Sequence, residues 1–260
     1  MTDIITSCDN HVLRLQINRP GKKNALTPGM YDALREGIEG ADASDDIRVI
    51  FITGSGDSFS AGNDLNSFLS DPGSAAPANF IKAIAAAETP IVAAVNGVAV
   101  GVGVTMLLHC DLVYAAEGAI FRLPFIDLGL VPEAASTYLL PRMAGFGRAA
   151  ELLLLGEAFS AEKARDCGIV NEVVATDELD DLAWSKAEQL AAKPPEALRG
   201  TKMLLRRGSA QAVRETIDAE LEIIAERLVS DEARGIMEAF FAGRGKGDSS
   251  LRKGCLREKR

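Results

Sequence analysis

The chain has 260 residues, of which 47% are hydrophobic and 25% charged, and its formal net charge is -9. This length buries a substantial core without disulfides or metals, and no apolar run approaches the roughly 18 residues that a membrane span requires. The negative charge excludes a broad nucleic-acid interface, because a phosphate backbone binds to clustered cations. We therefore expect a soluble protein with neither nucleic acid nor a membrane among its partners.

The N-terminus and the cysteines favour a cytoplasmic location. The opening residues MTDIITSCDN lack the basic and apolar regions of a signal peptide. The cysteines are scattered without metal-ligand spacing, which is typical of reduced thiols in a cytoplasm. They are Cys8, Cys110, Cys167 and Cys255. The basic tail LRKGCLREKR is interpreted as a solvated terminus, with a specific anion site as the alternative.

The first part of the chain predicts a strand, a helix and a second strand. HVLRLQIN alternates apolar and polar residues as a strand does, and RPGKKNA ends it. Thr27 then begins a helix as its N-cap, with Pro28 at the first helical position. The apolar face of this helix consists of Met30, Leu34 and Ile38. The β-branched run IRVIFITGSG predicts a buried strand, followed by the small-residue loop DSFSAGND.

Strand and helix signals continue to alternate in the middle of the chain. NFIKAIAAAE predicts a helix, and IVAAVNG predicts a strand. GVAVGVGVT, residues 97–105, leads into MLLHC, which fits a buried helix, and DLVYAAEGAIF returns as a strand. This alternation indicates an α/β fold with a largely parallel sheet. FLSDPGSAAPANF, residues 68–80, is interpreted as a loop that borders the pocket.

The character of the chain changes after Pro194 and Pro195. Three segments then show apolar residues at helical spacings: EALRGTKMLLRRG, AQAVRETIDAELEIIAERLVS and DEARGIMEAFFAGRG. Their apolar stripes need a surface to pack against, such as another subunit. We therefore divide the chain into a core of residues 1–194 and a C-terminal helical region of residues 195–260.

The glycines of GVAVGVGVT do not form a phosphate loop. A dinucleotide fingerprint requires a third glycine where Met106 stands, and a P-loop requires Gly-Lys-Ser/Thr. The glycines either permit close helix packing or shape a turn with unpaired N–H groups. FSAGND, residues 59–64, is a second small-residue turn between a strand and a helix. Two such turns facing each other would offer a pair of donors that stabilises negative charge on an oxygen.

Four motifs in order resemble the crotonase superfamily of enoyl-CoA hydratases and isomerases: NRPGKKNAL, SFSAGNDL, AAVNGVAVGVGVTMLLHCDLVYA and LGLVPEAASTYLLPRMAG. The resemblance extends from about Val12 to about Gly243. It implies an α/β fold with a ββα spiral core and a C-terminal helical region that forms homotrimers, often paired into hexamers. It also implies that the N–H groups of Asn63 and Val102 form an oxyanion hole for the thioester carbonyl of an acyl-CoA.

A departure from the family pattern bears on the reaction. Two-glutamate hydratases keep their glutamates where this chain has Thr105 and Phe125, and neither residue is a general base. Glu133 resembles the single catalytic glutamate of the peroxisomal-type Δ3,Δ2-enoyl-CoA isomerases. Apolar neighbours such as Leu130 and Val131 are expected to raise its pKa. Without the resemblance, a lone glutamate after proline is interpreted as an N-terminal residue of a helix.

The resemblance thus implies an isomerase that converts 3-enoyl-CoA to 2-trans-enoyl-CoA. Glu133 would take a proton from C2 and return it to C4, while the oxyanion hole holds the dienolate oxygen. No metal or redox cofactor is required. A hydratase, a thioesterase or a decarboxylase is the alternative within the family, since the same hole serves any enolate or tetrahedral intermediate. The alternative outside enzymes is a non-catalytic acyl-CoA-binding trimer.

The resemblance also places the CoA moiety along the first loop and the SAGNDL segment. The residues expected to bind substrate are Lys22, Lys23, Ala25, Ala61, Gly62, Asp64, Leu65 and Phe125. The lysines would meet phosphates as point charges, with solvated surface lysines as the alternative. Asp64 is also a candidate helix cap, as is Asp127, which could otherwise be a second acid. His109 is expected to end a buried helix, and no nucleophile motif accompanies it.

Overall fold

The computed structural model describes residues 3–70 and 73–244, without the side chains of residues 65, 68, 69, 238 and 240–244. The basic tail, Cys255 and the side chain of Leu65 therefore lie outside the described part. The strands are β1 (Ile4–Asp9), β2 (Val12–Ile17), β3 (Val49–Gly54), β4 (Ser58–Ser60), β5 (Ile91–Val95), β6 (Val98–Val100), β7 (Leu112–Ala116), β8 (Ile120–Arg122), β9 (Ala158–Ser160) and β10 (Glu172–Val174).

The α-helices of the same part are α1 (Pro28–Asp42), α2 (Leu65–Ser70), α3 (Ala76–Ala86), α4 (Val102–Thr105), α5 (Ser136–Ala144), α6 (Phe146–Leu155), α7 (Ala161–Asp166), α8 (Leu179–Ala191), α9 (Pro195–Arg207), α10 (Ala210–Leu228) and α11 (Asp231–Arg244). Short 3-10 helices span Pro20–Lys22, Met106–His109 and Ile126–Leu128.

The described strands form two sheets that the chain builds together. The larger has the order β1-β2-β3-β5-β7-β10, and the smaller has the order β4-β6-β8-β9. From β3 to β8 the chain alternates between them, so that each winding adds one strand to each sheet. Neighbouring strands of these windings are parallel, while β1 and β9 run antiparallel to their neighbours. This winding confirms the predicted α/β fold and its ββα spiral.

Helices cover both faces of the larger sheet, whose central strand β3 is buried at every residue. On one face α8 packs through Trp184, whose ring meets that of Phe51 edge-on at 5.3 Å between centroids. Residues of α1 and α3 join the core on the other face. The predicted start of α1 is confirmed, since the side chain of Thr27 accepts from the N–H of Met30.

The prediction misses β1 and mistakes the ends of two neighbouring helices for loop. In β1 only Ile4 is buried, so this edge strand shows no apolar alternation. The sequence predicts a loop over residues 68–80, but α2 continues to Ser70 and α3 begins at Ala76. Proline is compatible with the first turn of a helix, and Pro77 occupies that position in α3.

The segment DLVYAAEGAIF is two strands rather than one. Its first part is β7 in the larger sheet, and its last residues belong to β8 in the smaller sheet. The exposed residues Glu117 and Gly118 form the turn between them. An apolar run interrupted by a short turn is therefore the place where the chain changes sheets.

The C-terminal helices are confirmed as α9, α10 and α11. Val213 and Ile217 of α10 are buried in the main core, and α10 contacts α3 and α5. The division of the chain at residue 194 stays a prediction. Within the described residues, none of the helices combines the length and apolarity needed to cross a bilayer.

Candidate active site

Three loops meet at one edge of the smaller sheet. Strands β4, β6 and β8 are parallel neighbours, so their carboxyl ends lie together at that edge. Residues 61–64 follow β4, α4 follows β6, and residues 123–135 follow β8. The predicted catalytic residues Asn63, Val102 and Glu133 therefore extend from three adjacent strand ends.

Glycines allow the first two of these loops to touch. A Cβ on Gly103 would lie 2.5 Å from the carbonyl oxygen of Ser60, and one on Gly62 would lie 2.6 Å from that of Val100. Gly62 and Gly101 also have positive φ angles of 84° and 56°, which residues with side chains rarely adopt. Close packing and turn formation are thus both reasons for these glycines, and together they bring the two turns into contact.

The N–H groups of Asn63 and Val102 are the two predicted main-chain donors. Among the hydrogen bonds of the described residues, none has the N–H of Asn63 or Val102 as its donor. Val102 is the first residue of α4, where no preceding helical turn supplies an acceptor. The next N–H after Asn63, that of Asp64, donates to Leu26 at 2.9 Å. Two main-chain N–H groups of the touching loops are thus without an acceptor among the described residues.

Tyr31 of α1 holds the side chain of Asn63. Its hydroxyl donates to Asn63 Oδ1 at 2.5 Å, and the residue is 1% exposed. Its ring packs against that of Phe80, with the centroids 5.5 Å apart. Burial raises the pKa of Tyr31 well above its ordinary value, and the charge of Glu133 adds to this rise. The phenol therefore stays protonated and remains a donor to Asn63.

Glu133 has a buried carboxyl with one unpaired oxygen. The residue is 6% exposed, and its Oε1 has no hydrogen-bond partner within the described structure. Burial raises its pKa to about 7, with a further contribution from the charge of Glu220. The nearby hydroxyl of Thr105 partly offsets this rise, although its Oγ1 makes no hydrogen bond of standard geometry. Thr105 ends α4, so the carboxyl lies beside the helical turn that Val102 begins.

Glu220 of α10, which the sequence prediction missed, fills the helix-capping role considered for Glu133. It accepts from the N–H groups of Ala135 at 2.6 Å and Thr137 at 3.1 Å, at the start of α5. The signal for it is present in the sequence, because Glu220 lies on the same helical face as the buried Val213 and Ile217. A glutamate on an apolar stripe indicates a buried partner.

Tyr31 was missed for a related reason. It lies beside Met30 and Leu34 on the buried face of α1, where an aromatic residue is most simply interpreted as core. Its contact with Asn63 joins residues 32 positions apart, and nothing local in the sequence indicates that pairing.

The structure gives Asp64 the predicted capping role. Its Oδ1 accepts from the N–H groups of Asn66 at 3.0 Å and Ser67 at 3.2 Å, at the start of α2. Its other oxygen forms a 2.6 Å ion pair with Arg19. A direct contact between Asp64 and substrate stays a prediction.

The residues predicted to bind CoA along the first loop differ in whether their polar groups are free to bind a ligand. Lys22 and Lys23 are exposed and form no ion pair within the described part of the chain. The main-chain N–H and carbonyl of Ala25 are bonded to Lys22 and Arg19, and the N–H of Ala61 donates to Lys23. The lysine side chains are thus free to meet an anion, whereas these two alanine N–H groups already have acceptors.

Phe125, Asp127 and His109 are three further candidates, and each makes contacts that indicate its role in the structure. Phe125 is 7% exposed and belongs to the core. Asp127 is exposed and pairs with Arg122 at 2.9 Å, so it is neither a helix cap nor a buried acid. His109 ends the buried 3-10 helix as predicted, and its Nε2 lies 2.8 Å from the carbonyl oxygen of Ala134. Burial lowers the pKa of His109 to about 4, so it is neutral and donates this hydrogen bond.

A cavity of about 980 Å³ lies between α3, α9 and α10. Its lining includes His109 and Leu139 but not Asn63, Val102 or Glu133. We place the candidate active site at the three loops because they hold the unpaired donors and the buried carboxyl.

Comparison with known proteins places this site in a family. A profile described as enoyl-CoA hydratase/isomerase matches residues 7–246. The rat protein named enoyl-CoA delta isomerase 2 is 34% identical over 246 residues, which are 91% of this chain and only 63% of the rat protein. The 1,2-epoxyphenylacetyl-CoA isomerase of Escherichia coli strain K12 is 36% identical over 94% of this chain and 97% of its own length.

The fold comparison agrees with the sequence comparison. A solved structure of an enoyl-CoA hydratase/isomerase from Pseudoalteromonas atlantica T6c is 43% identical, with a TM-score of 0.90. The match covers 93% of this chain and 98% of that one. With a profile that matches from residue 7 to residue 246 and a spiral fold in common, this chain belongs to the enoyl-CoA hydratase/isomerase family, the crotonase superfamily that its motifs resemble.

Proposed function

We propose that the protein is a Δ3,Δ2-enoyl-CoA isomerase, which moves the double bond of a 3-enoyl-CoA to the 2-trans position. The observation that best supports this is the buried carboxyl of Glu133, whose pKa of about 7 suits a group that accepts and releases one proton near neutrality. The carboxyl also lies beside the turn that starts at Val102, whose N–H has no acceptor among the described residues, and this supports the pairing of a base with an oxyanion donor.

The proposed reaction needs one proton carrier and one anion site. The N–H groups of Asn63 and Val102 bind the thioester oxygen. Ionised Glu133 takes a proton from C2, and the electrons of the broken C–H bond delocalise onto that oxygen as a dienolate. The carboxyl then returns the proton to C4, the C2–C3 double bond forms and the C3–C4 double bond is lost. The substrate gains no atom and is neither oxidised nor reduced overall, and the two N–H groups take the charge on the oxygen, so the proposed route needs neither water nor a metal or redox cofactor.

The surroundings of Glu133 support isomerisation over hydration. Hydration needs a further acid or base to hold water, and the two positions at which the family's hydratases keep glutamates carry the buried residues Thr105 and Phe125. A nearby carboxylate, that of Glu220, is already hydrogen-bonded to the start of α5.

The proposal is tested by giving the protein 3-hexenoyl-CoA and crotonyl-CoA and separating the products by chromatography. We expect 2-trans-hexenoyl-CoA from the first substrate and little hydration of the second. Rapid hydration of crotonyl-CoA would identify a hydratase instead. Tight binding of both thioesters without turnover would favour the non-catalytic alternative.

Tyr31→Phe is expected to lower kcat for 3-hexenoyl-CoA about tenfold, because the loss of one buried hydrogen bond is worth roughly 1–1.5 kcal/mol. The change leaves Asn63 Oδ1 without its donor, so the loop that presents the Asn63 N–H loosens. Steady-state kinetics should show the loss, while Tyr138→Phe, in which Arg142 still covers the ring, should behave as wild type. Equal rates for Tyr31→Phe and wild type would contradict the positioning role of the phenol.

We also propose that the protein is cytoplasmic and that Lys22 and Lys23 bind the phosphates of CoA. We propose further that it forms a homotrimer or a dimer of trimers, in which residues 195–260 make the contacts between subunits. The exposed apolar residues of α9 support an assembly: Met203, Leu204 and Leu205 are 60%, 61% and 79% exposed. Light scattering of the purified protein should give the mass of three or six chains, and a monomer would contradict this assembly.

A further inference from the structure

The turn that follows Glu133 has an unusual backbone. Ala134 and Ala135 both have positive φ angles, of 58° and 54°, although neither is glycine. A side chain is disfavoured in this left-handed region, so the surrounding structure must hold the two alanines there. Both are buried, and Ala135 directly precedes α5.

Glu220 is the group that holds this turn. It is 5% exposed and reaches across from α10. One carboxylate oxygen accepts from the N–H of Ala135 at 2.6 Å, and the other accepts from the N–H and the hydroxyl of Thr137 at 3.1 and 2.5 Å. His109 donates to the carbonyl oxygen of Ala134 at 2.8 Å. The left-handed pair is thus fastened at both of its residues.

We propose, on the basis of the isomerase function above, that Glu220 is a positioning residue for Glu133. Its carboxylate fixes the Ala134–Ala135 turn and so sets where the carboxyl of Glu133 points, and its negative charge acts on that carboxyl in addition to burial.

The division of roles between the two carboxyls follows from their partners. Glu220 accepts three hydrogen bonds, which favour its charged form and oppose the rise in its pKa that burial causes. Glu133 has an oxygen without a partner, and burial together with the charge of Glu220 raises its pKa. Glu133 is therefore the member of the pair that takes the proton.

Other polar groups around the pair leave this balance in place. His109 is neutral because burial lowers its pKa to about 4. Tyr31 of α1 remains protonated. On α10, Asp218 pairs with Lys82 of α3, and Arg227 donates to the carbonyl oxygen of Gly129. The hydroxyl of Thr105 is the group that acts in the opposite direction on Glu133.

The test compares two variants of Glu220 that separate charge from geometry. Glu220→Gln keeps the size but removes the charge and sets an amide against an N–H of the turn. We expect kcat to fall by about 10- to 100-fold with little change in KM, and the acid limb of the kcat–pH profile to move to lower pH. Glu220→Asp keeps the charge but reaches less far, so we expect a lower kcat and an acid limb near the wild-type position.

A control variant and a rescue variant complete this test. Glu222→Gln removes one charge from an exposed position of α10 and should leave both kcat and the pH profile unchanged. Adding Ala134→Gly and Ala135→Gly to Glu220→Gln should restore the Tm, since glycine adopts the left-handed turn freely. It should not restore the pH profile, because the charge is still missing. Recovery of the wild-type profile by the glycines would show that the charge of Glu220 has no role.

A second readout does not depend on any reaction. The carboxyl 13C signal of Glu133 in glutamate-labelled protein is identified by its absence from Glu133→Gln, and its titration is compared in wild type and Glu220→Gln. A lower titration midpoint in Glu220→Gln supports the proposal, and an unchanged midpoint overturns it. If wild type fails to isomerise 3-hexenoyl-CoA, the proposed function is wrong while this titration still decides the role of Glu220.

Discussion

Glu133→Gln is expected to reduce kcat for 3-hexenoyl-CoA by roughly 10²- to 10⁴-fold, the usual contribution of a positioned acid–base group. The amide neither removes the C2 proton nor delivers it to C4, while the shape of the pocket is kept and KM should change little. Steady-state turnover of the two proteins measures the effect. Glu157→Gln changes an exposed glutamate outside the three loops of the site, so it is the matched control and should be fully active. Full activity of Glu133→Gln would show that another group carries the proton.

The pH dependence of the wild-type enzyme follows from the same carboxyl. Only ionised Glu133 can take the first proton, and burial raises its pKa to about 7. The kcat of wild type should therefore rise with pH through about 7, rather than near the ordinary glutamate value of 4.5. An acid limb near pH 4.5 would contradict the raised pKa.

Glu133→Gln should also make the fold more stable than that of wild type at high pH. The pKa of Glu133 is about 7 in the folded protein against 4.5 ordinarily, so between these values the folded state holds a proton that the unfolded chain has lost. The free energy of unfolding of wild type therefore falls as pH rises from 4.5 to 7, by about 3 kcal/mol in all. Because a glutamine side chain does not ionise, the free energy of unfolding of Glu133→Gln does not fall with pH in this way.

Urea unfolding at a fixed protein concentration measures the difference. At pH 8 we expect Glu133→Gln to exceed wild type by up to about 3 kcal/mol, and at pH 5.5 by roughly 2 kcal/mol less. Glu157→Gln should show no comparable change between the two pH values. A variant that is less active but more stable is the expected result for a carboxyl that catalysis keeps in an unfavourable site. Parallel pH curves for Glu133→Gln and wild type would contradict the shift.

Gly103→Ala is the second change with a large expected effect. The new Cβ would lie 2.5 Å from the carbonyl oxygen of Ser60 and 3.2 Å from its Cβ, so β4 and α4 must move apart. Overpacking of this kind costs about 1–3 kcal/mol in stability. The same shift separates the Asn63 and Val102 donors, and loss of one oxyanion donor lowers kcat by about 10²- to 10³-fold.

Kinetics with 3-hexenoyl-CoA and thermal unfolding test both effects of Gly103→Ala. Gly40→Ala is the control, since an added Cβ meets nothing within 4 Å at this exposed position of α1. Alanine should stabilise α1 by about 0.5–1 kcal/mol and leave kcat unchanged. Wild-type kcat in Gly103→Ala would mean that the contact between the two loops does not set the donor pair.

Local patterns in the sequence predicted the elements that pack by those patterns. The alternation in β2, the buried run of β3 and the capped, striped helix α1 each reflect burial that neighbouring residues share. Strand β1 escaped prediction because it lies at the sheet edge with one buried residue. The change of sheet between β7 and β8 was not predicted either, because the turn between them is short and apolar residues stand on both sides of it.

Some residues of the candidate site can likewise be predicted from local patterns in the sequence, and others cannot. The turns around Asn63 and Val102 are predictable because glycines and small residues mark them directly. Tyr31 and Glu220 reach the site from helices distant in sequence, and their function depends on contacts that only the folded chain makes. Their burial on apolar faces is visible in the helical spacing, but the partner of each is not.

The capping of α5 by α10 also sets an order in which the site can be completed. A chain growing on the ribosome already carries both main-chain donors and Glu133 when its C-terminal helices have yet to be made. The acceptors for the Ala134–Ala135 turn arrive only with Glu220. On the proposed mechanism, a nascent or truncated chain that lacks α10 would have every reacting group while its Ala134–Ala135 turn is held from His109 alone. We therefore expect catalysis to begin only after one of the last helices has docked.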